Sequence, residues 1–154
     1  MVRLGIVSDT HGLLRPTVLE RLANCDKILH AGDVGDAAIL DRLAAIAPTE
    51  AVRGNVDFGD RLSALPSVLS GSADQVSFRM VHQREHVPAE WQADSQLIIF
   101  GHSHRPELEW RGRTLWMNPG AAGPRRFHLP LTVAIVTIDG ARVIPEIMSV
   151  EERP

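Results

Sequence analysis

Cysteine, tyrosine and long apolar runs are scarce or missing in this chain. Cys25 is the one cysteine and there is no tyrosine. An internal disulfide and a cysteine-built zinc site are thereby excluded, and Cys25 reads as a core or surface thiol. No stretch approaches the roughly 18 consecutive apolar residues that would suggest a membrane span. Met1-Val2-Arg3 runs straight into a strand pattern without the layout of a secretory signal, so the expectation is a soluble, cytoplasmic protein with no membrane partner. A basic excess is also lacking. Sixteen Lys and Arg stand against 19 Asp and Glu, for a formal charge of −3, with three Trp and four Phe. That is neither the electrostatic footprint nor the stacking surface of a duplex nucleic-acid binder, although a small nucleotide is not excluded. The length, 154 residues, fits a single domain over 1–154 that can bury one real core. No internal repeat, low-complexity tract or linker interrupts it.

What is present is a regular alternation of strand and helix signals. The apolar runs Leu4-Gly5-Ile6-Val7, Ile28-Leu29-His30, Ala51-Val52 and Leu97-Ile98-Ile99-Phe100 read as short buried strands. Pro16 to Asn24 places Val18, Leu19 and Leu22 on one helical face, with Pro16 suited to a first turn. Asp36 to Ala47 repeats the pattern with Ile39, Leu40, Leu43 and Ile46, Asp36 as cap and Pro48 as stop. The N-terminal third is therefore a βαβαβ unit with a parallel sheet. Further on, Gln75 to Val81, Thr114 to Met117, Thr132 to Ile138 and Arg142 to Ile147 are β-like, and Asp139-Gly140 turns the last two into a hairpin. A mixed, two-sheet α/β architecture follows, with Glu151 to Pro154 as a frayed tail.

Each of the four apolar runs ends in a polar tip: Asp9-Thr10-His11, Gly32-Asp33, Gly54-Asn55 and Gly101-His102-Ser103-His104. In open α/β sheets the functional crevice lies at the strand ends, so these tips are expected to converge. Residues i and i+2 of an extended chain project to one side, which lets Asp9 and His11, or His102 and His104, face one ion. Asp33 follows a glycine, where the backbone can approach a crowded centre, and its two oxygens can bridge cations; Asn55 adds an amide oxygen. Taken singly, Gly-Asp and Gly-Asn are ordinary turn dipeptides, and an Asp-x-His is usually a satisfied polar pair. Their joint occurrence at successive strand ends carries the metal reading. Imidazoles with few carboxylates suit Mn, Fe, Co, Ni or Zn better than Mg or Ca.

The pieces SDTHG (Ser8 to Gly12), HAGD (His30 to Asp33), RGNVD (Arg53 to Asp57), FGHSHRP (Phe100 to Pro106) and NPGA (Asn118 to Ala121) follow one another in an order that resembles the calcineurin-like metallophosphoesterases, in particular their small YfcE-type phosphodiesterases. The resemblance covers nearly the whole chain. It implies a four-layer αββα sandwich, two mixed β-sheets flanked by helices, with metals at the sheet edges. By position it implies that Asp9, His11 and His104 hold one ion, Asn55, His82 and His102 a second, and Asp33 both, with Asp33, Asn55 and His102 as the catalytic members. The implied activity is dinuclear, metal-dependent hydrolysis of phosphodiesters or activated phosphate esters through a metal-bridging hydroxide. The implied cofactors are two divalent transition-metal ions, manganese first and Ni, Fe, Co or Zn as alternatives. The implied partner is a small phosphate ester, conceivably a nucleotide, and a homo-oligomer is left open. The alternatives are a non-catalytic protein-interaction scaffold of the same fold and a phosphate- or nucleotide-binding regulator with structural metals.

Two places depart from the family pattern. Where relatives usually read His-Gly-His, this chain reads His82-Gln83-Arg84, which makes His86 a competitor for the ligand role assigned to His82. Where many phosphatases place a histidine acid after the asparagine, this chain has Val56, which cannot donate a proton and narrows the expected substrates. Asp57 then reads as a structural residue fixing its turn. His30 reads as a group that orients a ligand, and His128 as a surface histidine. Arg125 is either a solvated arginine or a group that approaches a substrate phosphate.

Overall fold

A computed structural model describes residues 1–152. Strands β1 (Val2–Val7), β2 (Lys27–His30) and β3 (Thr49–Ala51) run parallel, linked by helices α1 (Pro16–Leu22) and α2 (Ala37–Ala44). This is the βαβαβ unit read from the sequence. Pro16 opens α1 without needing a backbone donor. The Asp36 side chain accepts from the Ala38 N–H to cap α2. Both helices end short of the predicted limits, α1 at Leu22 and α2 at Ala44. Beyond α2, Ile46 and Ala47 N–H groups both turn back onto the Leu43 carbonyl, which tightens the exit before Pro48.

The C-terminal strands β9 (Thr132–Asp139) and β10 (Arg142–Ser149) form the expected hairpin and join the first sheet antiparallel to β1, in the order β10-β9-β1-β2-β3. Pro145 lies in β10, at the sheet edge, where a missing donor is tolerated. The second sheet has the order β4-β5-β6-β8-β7. Its centre is parallel: β5 (Val76–Val81), β6 (Leu97–Ile99) and β8 (Thr114–Asn118). The edges are antiparallel strands β4 (Val68–Ala73) and β7 (Glu107–Arg111). Neither edge strand was legible in the sequence. β7 is almost wholly exposed and so lacks an apolar alternation, while β4 reads Ser-Gly-Ser through its centre. Gly71 is needed there because a Cβ would lie 2.5 Å from the Phe78 ring across the pair.

The main core lies between the sheets, with Leu4, Ile6, Phe78, Met80, Leu97, Ile99, Met117 and Val136 all at most 1% exposed. A second cluster packs α1 and α2 on the outer face of the first sheet and includes buried Cys25. A Cβ at Gly5 would sit 2.7 Å from Leu22 and 2.9 Å from the Cys25 sulfur; the glycine lets α1 approach β1. The opposite face of the second sheet is covered by one helical turn, α4 (Trp91–Asp94), whose Trp91 packs with Val81, Ile98, Phe100 and Trp116. The guanidinium groups of Arg84 and Arg111 lie 5.3 and 4.2 Å from the Trp116 ring and complete that thin outer layer. Four layers result, helix-sheet-sheet-helix. Another single turn, α3 (Asp60–Ser63), follows the β3 loop.

Because β1, β2 and β3 are parallel, and β5, β6 and β8 likewise, each sheet delivers its C-terminal loops to one edge. Those loops carry every polar tip singled out above. Of the tail expected to fray, Glu151 pairs with Arg125, and Arg153 and Pro154 lie outside the described residues. Among the described residues no helix is long and apolar enough to cross a membrane.

Candidate metal centre

The loops after β1 and β2 are held together by backbone bonds from Asp9, His11 and Gly12 N–H to the Gly32, Asp33 and Val34 carbonyls, at 3.0, 2.9 and 2.9 Å. Their shape is costly. Asp9, His11, Asp33, His102 and His104 all adopt left-handed backbone, with φ of 54, 46, 56, 72 and 64°, a region disfavoured for residues with a Cβ by roughly 1–3 kcal/mol each. Such strain concentrates where function dictates the geometry. Glycines open the remaining space. A Cβ at Gly32 would lie 2.6 Å from the His82 Nδ1, one at Gly54 2.1 Å from the Asp33 Oδ1, and one at Gly101 2.1 Å from the Ser8 hydroxyl.

Two groups of potential ligand atoms result: Asp9, His11 and His104, and Asp33, His82 and His102. In the first, Asp9 Oδ2 accepts from the Ser8 hydroxyl at 2.7 Å and from the His102 N–H at 3.1 Å. Its Oδ1 is buried and has no hydrogen-bond partner among the described residues. That oxygen lies 3.6 Å from the His11 Nε2, 3.4 Å from the His104 Nε2 and 4.0 Å from the His82 Nε2. These separations are too long for hydrogen bonds and leave room for a cation among them. In the second group, Asp33 Oδ2 is 3.1 Å from the His82 Nε2 and 3.7 Å from the His11 Nε2, so this one oxygen faces both groups. Asn55 Oδ1 lies 3.0 Å from the His82 Nε2 and 3.1 Å from the His102 Nδ1. All seven sequence-predicted residues are thus brought together at one edge.

The surrounding bonds orient these side chains. His82 Nδ1 donates to the Ala31 carbonyl at 2.7 Å, which turns Nε2 toward Asp33 and Asn55. His86 instead lies on a 3₁₀ turn, Arg84–His86, outside both groups. His30 is fully buried, accepts at Nδ1 from the Gly32 N–H and donates from Nε2 to the Thr10 hydroxyl. The Thr10 hydroxyl in turn donates to the Val34 carbonyl. His30 therefore links the loops of Asp9 and Asp33 without facing the centre. Asp57, also fully buried, accepts from the Asp33, Gly35 and Gly54 N–H groups at 3.0, 3.1 and 2.8 Å. Asn118, to which sequence reasoning assigned no role, donates to the Gly101 carbonyl and Ser103 hydroxyl and accepts from the Gly120 N–H. It ties the His102 loop to the end of β8; the NPGA motif was the available signal. Arg125 reaches the Leu129 carbonyl and Glu151 rather than the centre, which removes it as a phosphate contact. His128 is exposed, as expected.

Charge follows this geometry. Burial opposes ionisation of Asp33, but the His82 imidazole, the Val56 N–H and the His11 ring outweigh it and hold the carboxyl down at about 2. Burial is likewise overcome at Asp9 by His11, Ser8, His82 and His104, and its carboxyl stays below the usual range. Burial lowers His104 against the pull of Asp9, with His11 and Arg126 acting in the same downward direction. At His82 the burial effect is overcome by Asp33, Asp9 and the Ala31 carbonyl, and the imidazole is raised. Burial pushes His30 down to about 4, so it is neutral near pH 7. Two ionised carboxylates, an amide oxygen and converging imidazole nitrogens form a donor set suited to borderline divalent ions such as Mn, Fe, Co, Ni or Zn.

The chain has relatives of the same description. A calcineurin-like phosphoesterase superfamily domain matches residues 2–141. A probable metallophosphoesterase of Methanothermobacter thermautotrophicus is 30% identical, with 94% of this chain and 91% of the relative covered. Among solved structures, a chain described as a novel archaeal phosphodiesterase superposes with a TM-score of 0.78 at 21% identity, covering 96% of this chain and 100% of the other. Vps29 from Entamoeba histolytica, described as complexed with zinc, superposes at 0.76 and 19% identity, covering 97% and 100%. The two-sheet fold, the ordered motifs and these matches agree: the chain belongs to the calcineurin-like phosphoesterase superfamily.

Proposed function

We propose that this protein is a dinuclear metal-dependent phosphoesterase acting on phosphodiesters or activated phosphate esters. The observation that carries the reading is Asp9 Oδ1, a buried carboxylate oxygen with no hydrogen-bond partner among the described residues, set among imidazole nitrogens at 3.4 to 4.0 Å. A buried charge without a partner is strongly disfavoured, and a cation is the partner that this donor set would accept. In this reading Asp9, His11 and His104 hold one ion, Asn55, His82 and His102 the other, and Asp33 both. Manganese is the first choice, with Ni, Fe, Co and Zn as alternatives. The zinc complex of the Entamoeba protein supports the view that this fold accommodates a transition ion.

Bound ions of this kind would supply Lewis-acid stabilisation of phosphoryl oxygens and a water acidified to a pKa of about 7. The chain's own residues set the geometry for that chemistry. His82 is fixed in one tautomer by the Ala31 carbonyl, Asp33 is kept ionised, and Asp57 and His30 lock the loops from behind. Val56 contributes its N–H to Asp33 Oδ1 at 3.0 Å, and its side chain offers no proton. The reaction this favours expels a good leaving group, an aryl oxide or a stabilised phosphoester, rather than an alkoxide that needs protonation. The archaeal phosphodiesterase neighbour supports the diester preference. We also take the protein to act in the cytoplasm as a single domain on a small phosphate ester.

The test is a hydrolysis screen of purified protein loaded separately with Mn, Ni, Fe and Zn, against aryl phosphodiesters, aryl monoesters, alkyl monoesters and cyclic nucleotides. Turnover of aryl diesters above alkyl monoesters is expected. Bound metal without turnover of any ester would leave the scaffold or the phosphate-binding regulator in its place.

A further inference from the structure

We propose that the cavity beside Asn55 and His82 is a subsite for a nucleotide-sized substituent bearing a second phosphate, gripped by Arg53; this rests on the phosphoesterase reading above. The cavity, about 330 Å³, is lined by Asn55 and His82 of the candidate metal centre and by Arg53, Ser67, Gln83 and His86. Its volume lies at the lower end of the roughly 300–1,000 Å³ typical of small-molecule sites. Among the described residues no carboxylate lines it, although the chain carries 19 acidic residues against 16 basic ones. The side chains of Arg53, Ser67, Gln83 and His86 can all donate hydrogen bonds, and Leu65 and Val81 supply apolar surface for a ring. A recess lined by an arginine and further donors beside a candidate phosphoryl-transfer centre favours an anion.

Arg53 stands apart from the other arginines near the cavities. Both Arg61 Nη groups are committed to Asp41 at 2.8 Å. Arg84 is committed to Glu107 and Glu109, and Arg125 to the Leu129 carbonyl and Glu151. Arg53 donates its backbone N–H to the Pro66 carbonyl at 2.8 Å and its Nε to the Asp57 carbonyl at 3.0 Å. Its Nη groups are left without a protein acceptor among the described residues. The guanidinium is therefore aimed by its own Nε bond while its fork remains open, the arrangement that binds a phosphate through two parallel hydrogen bonds. Pre-orientation of this kind reduces the entropy lost when the ligand docks.

The test uses metal-replete protein with two esters, thymidine 5′-(p-nitrophenyl phosphate) and the same compound carrying a 3′-phosphate. kcat/KM is measured for wild type, Arg53→Gln and Ser67→Asp, with thermal melts confirming that each is folded. Wild type should prefer the 3′-phosphorylated ester by at least tenfold, and Arg53→Gln should abolish that preference. Ser67→Asp leaves the Arg53 anchors in place and adds a like charge, so it should lower the preference even if Arg53→Gln fails to fold. Calorimetry should show thymidine 3′,5′-bisphosphate binding wild type more tightly than thymidine 5′-monophosphate, with the margin lost in Arg53→Gln. Equal hydrolysis of both esters, or a preference that survives the variants, overturns the subsite and leaves the phosphoesterase reading standing. If wild type hydrolyses neither ester, calorimetry decides the subsite: equal affinity for the bisphosphate and the monophosphate overturns it, a margin lost in Arg53→Gln supports it, and the phosphoesterase reading is judged by the screen above.

Discussion

Replacing Asp57 with asparagine separates a structural role from a proton-donating one, because the two side chains are nearly isosteric. In the native protein one carboxylate oxygen, Oδ2, accepts from the Asp33 and Gly54 N–H groups, and Oδ1 accepts from the Gly35 N–H. Asparagine can keep its oxygen in the Oδ2 position and retain the first two bonds. Its NH₂ group then faces the Gly35 N–H, donor against donor. One charge-assisted bond, worth about 1.5–3 kcal/mol, is lost, and the two that remain are weakened by loss of the negative charge. A destabilisation of about 3 kcal/mol follows. For a chain of this length that corresponds to a fall in Tm of roughly 6–12 °C. Since the retained bonds end on the backbone of Asp33 and beside Asn55, the metal affinity should fall as well, by about 10–100-fold as for other supporting groups of a metal site. Thermal melts in chelator and titration with Mn give both quantities. A Tm within 1 °C of wild type and an unchanged Mn affinity, combined with lost turnover, would refute the structural assignment and make Asp57 a participant in the chemistry.

Three other outcomes follow from the same geometry. Metal that binds the native state alone at a hundredfold excess over its Kd adds about 2.7 kcal/mol, so chelator should lower Tm by about 5–10 °C and readdition should restore it; an unshifted melt would mean that no ion is bound. His30, at about 4 in the fold and about 6.5 when unfolded, is a depressed group: its contribution is intact above pH 6.5 and is lost as pH falls toward 4. Urea titrations in chelator should show wild type losing about 3 kcal/mol relative to His30→Gln between pH 7 and 4, and parallel pH curves would refute this. Val56, whose side chain is 40% exposed, has room for a larger ring; Val56→His should raise kcat/KM for alkyl esters more than for matched aryl esters, by up to about 10²-fold, and equal gains would show that position 56 does not face the leaving group.

Strands β1, β2, β6 and β8 were legible in the sequence because burial on both faces leaves apolar runs, and the metal-facing loops were legible from the polar tips that follow such runs. Asp9, His11, Asp33, Asn55, His102 and His104 could be placed from such tips alone. His82 was harder. Its strand is sided rather than fully buried, with Ser77 and Arg79 half-exposed, and what separates it from His86 is its long-range contacts, Nδ1 to the Ala31 carbonyl and Nε2 to Asp33 and Asn55. β4 and β7 were missed because edge strands need only one apolar face, and β7 exposes Leu108 and Trp110 by 43 and 51%. Arg53 and Arg125 look alike in sequence. Their roles diverge through contacts made across the chain: Glu151 lies 26 positions from Arg125, whereas the Arg53 fork meets no acid among the described residues. The roles of Thr10 and Asn118 are likewise set by partners that no local pattern reveals.

We propose that the carboxylate of Asp33 is shared by two ions held by the seven converging side chains. Elemental analysis after exhaustive dialysis, run in parallel on wild type and Asp33→Asn, tests it most directly. Wild type should retain two transition-metal ions per chain, and the variant should lose occupancy at both positions together while a melt shows it to be folded. Retention of two ions by Asp33→Asn, or loss of a single ion with the other held at wild-type affinity, would contradict the account.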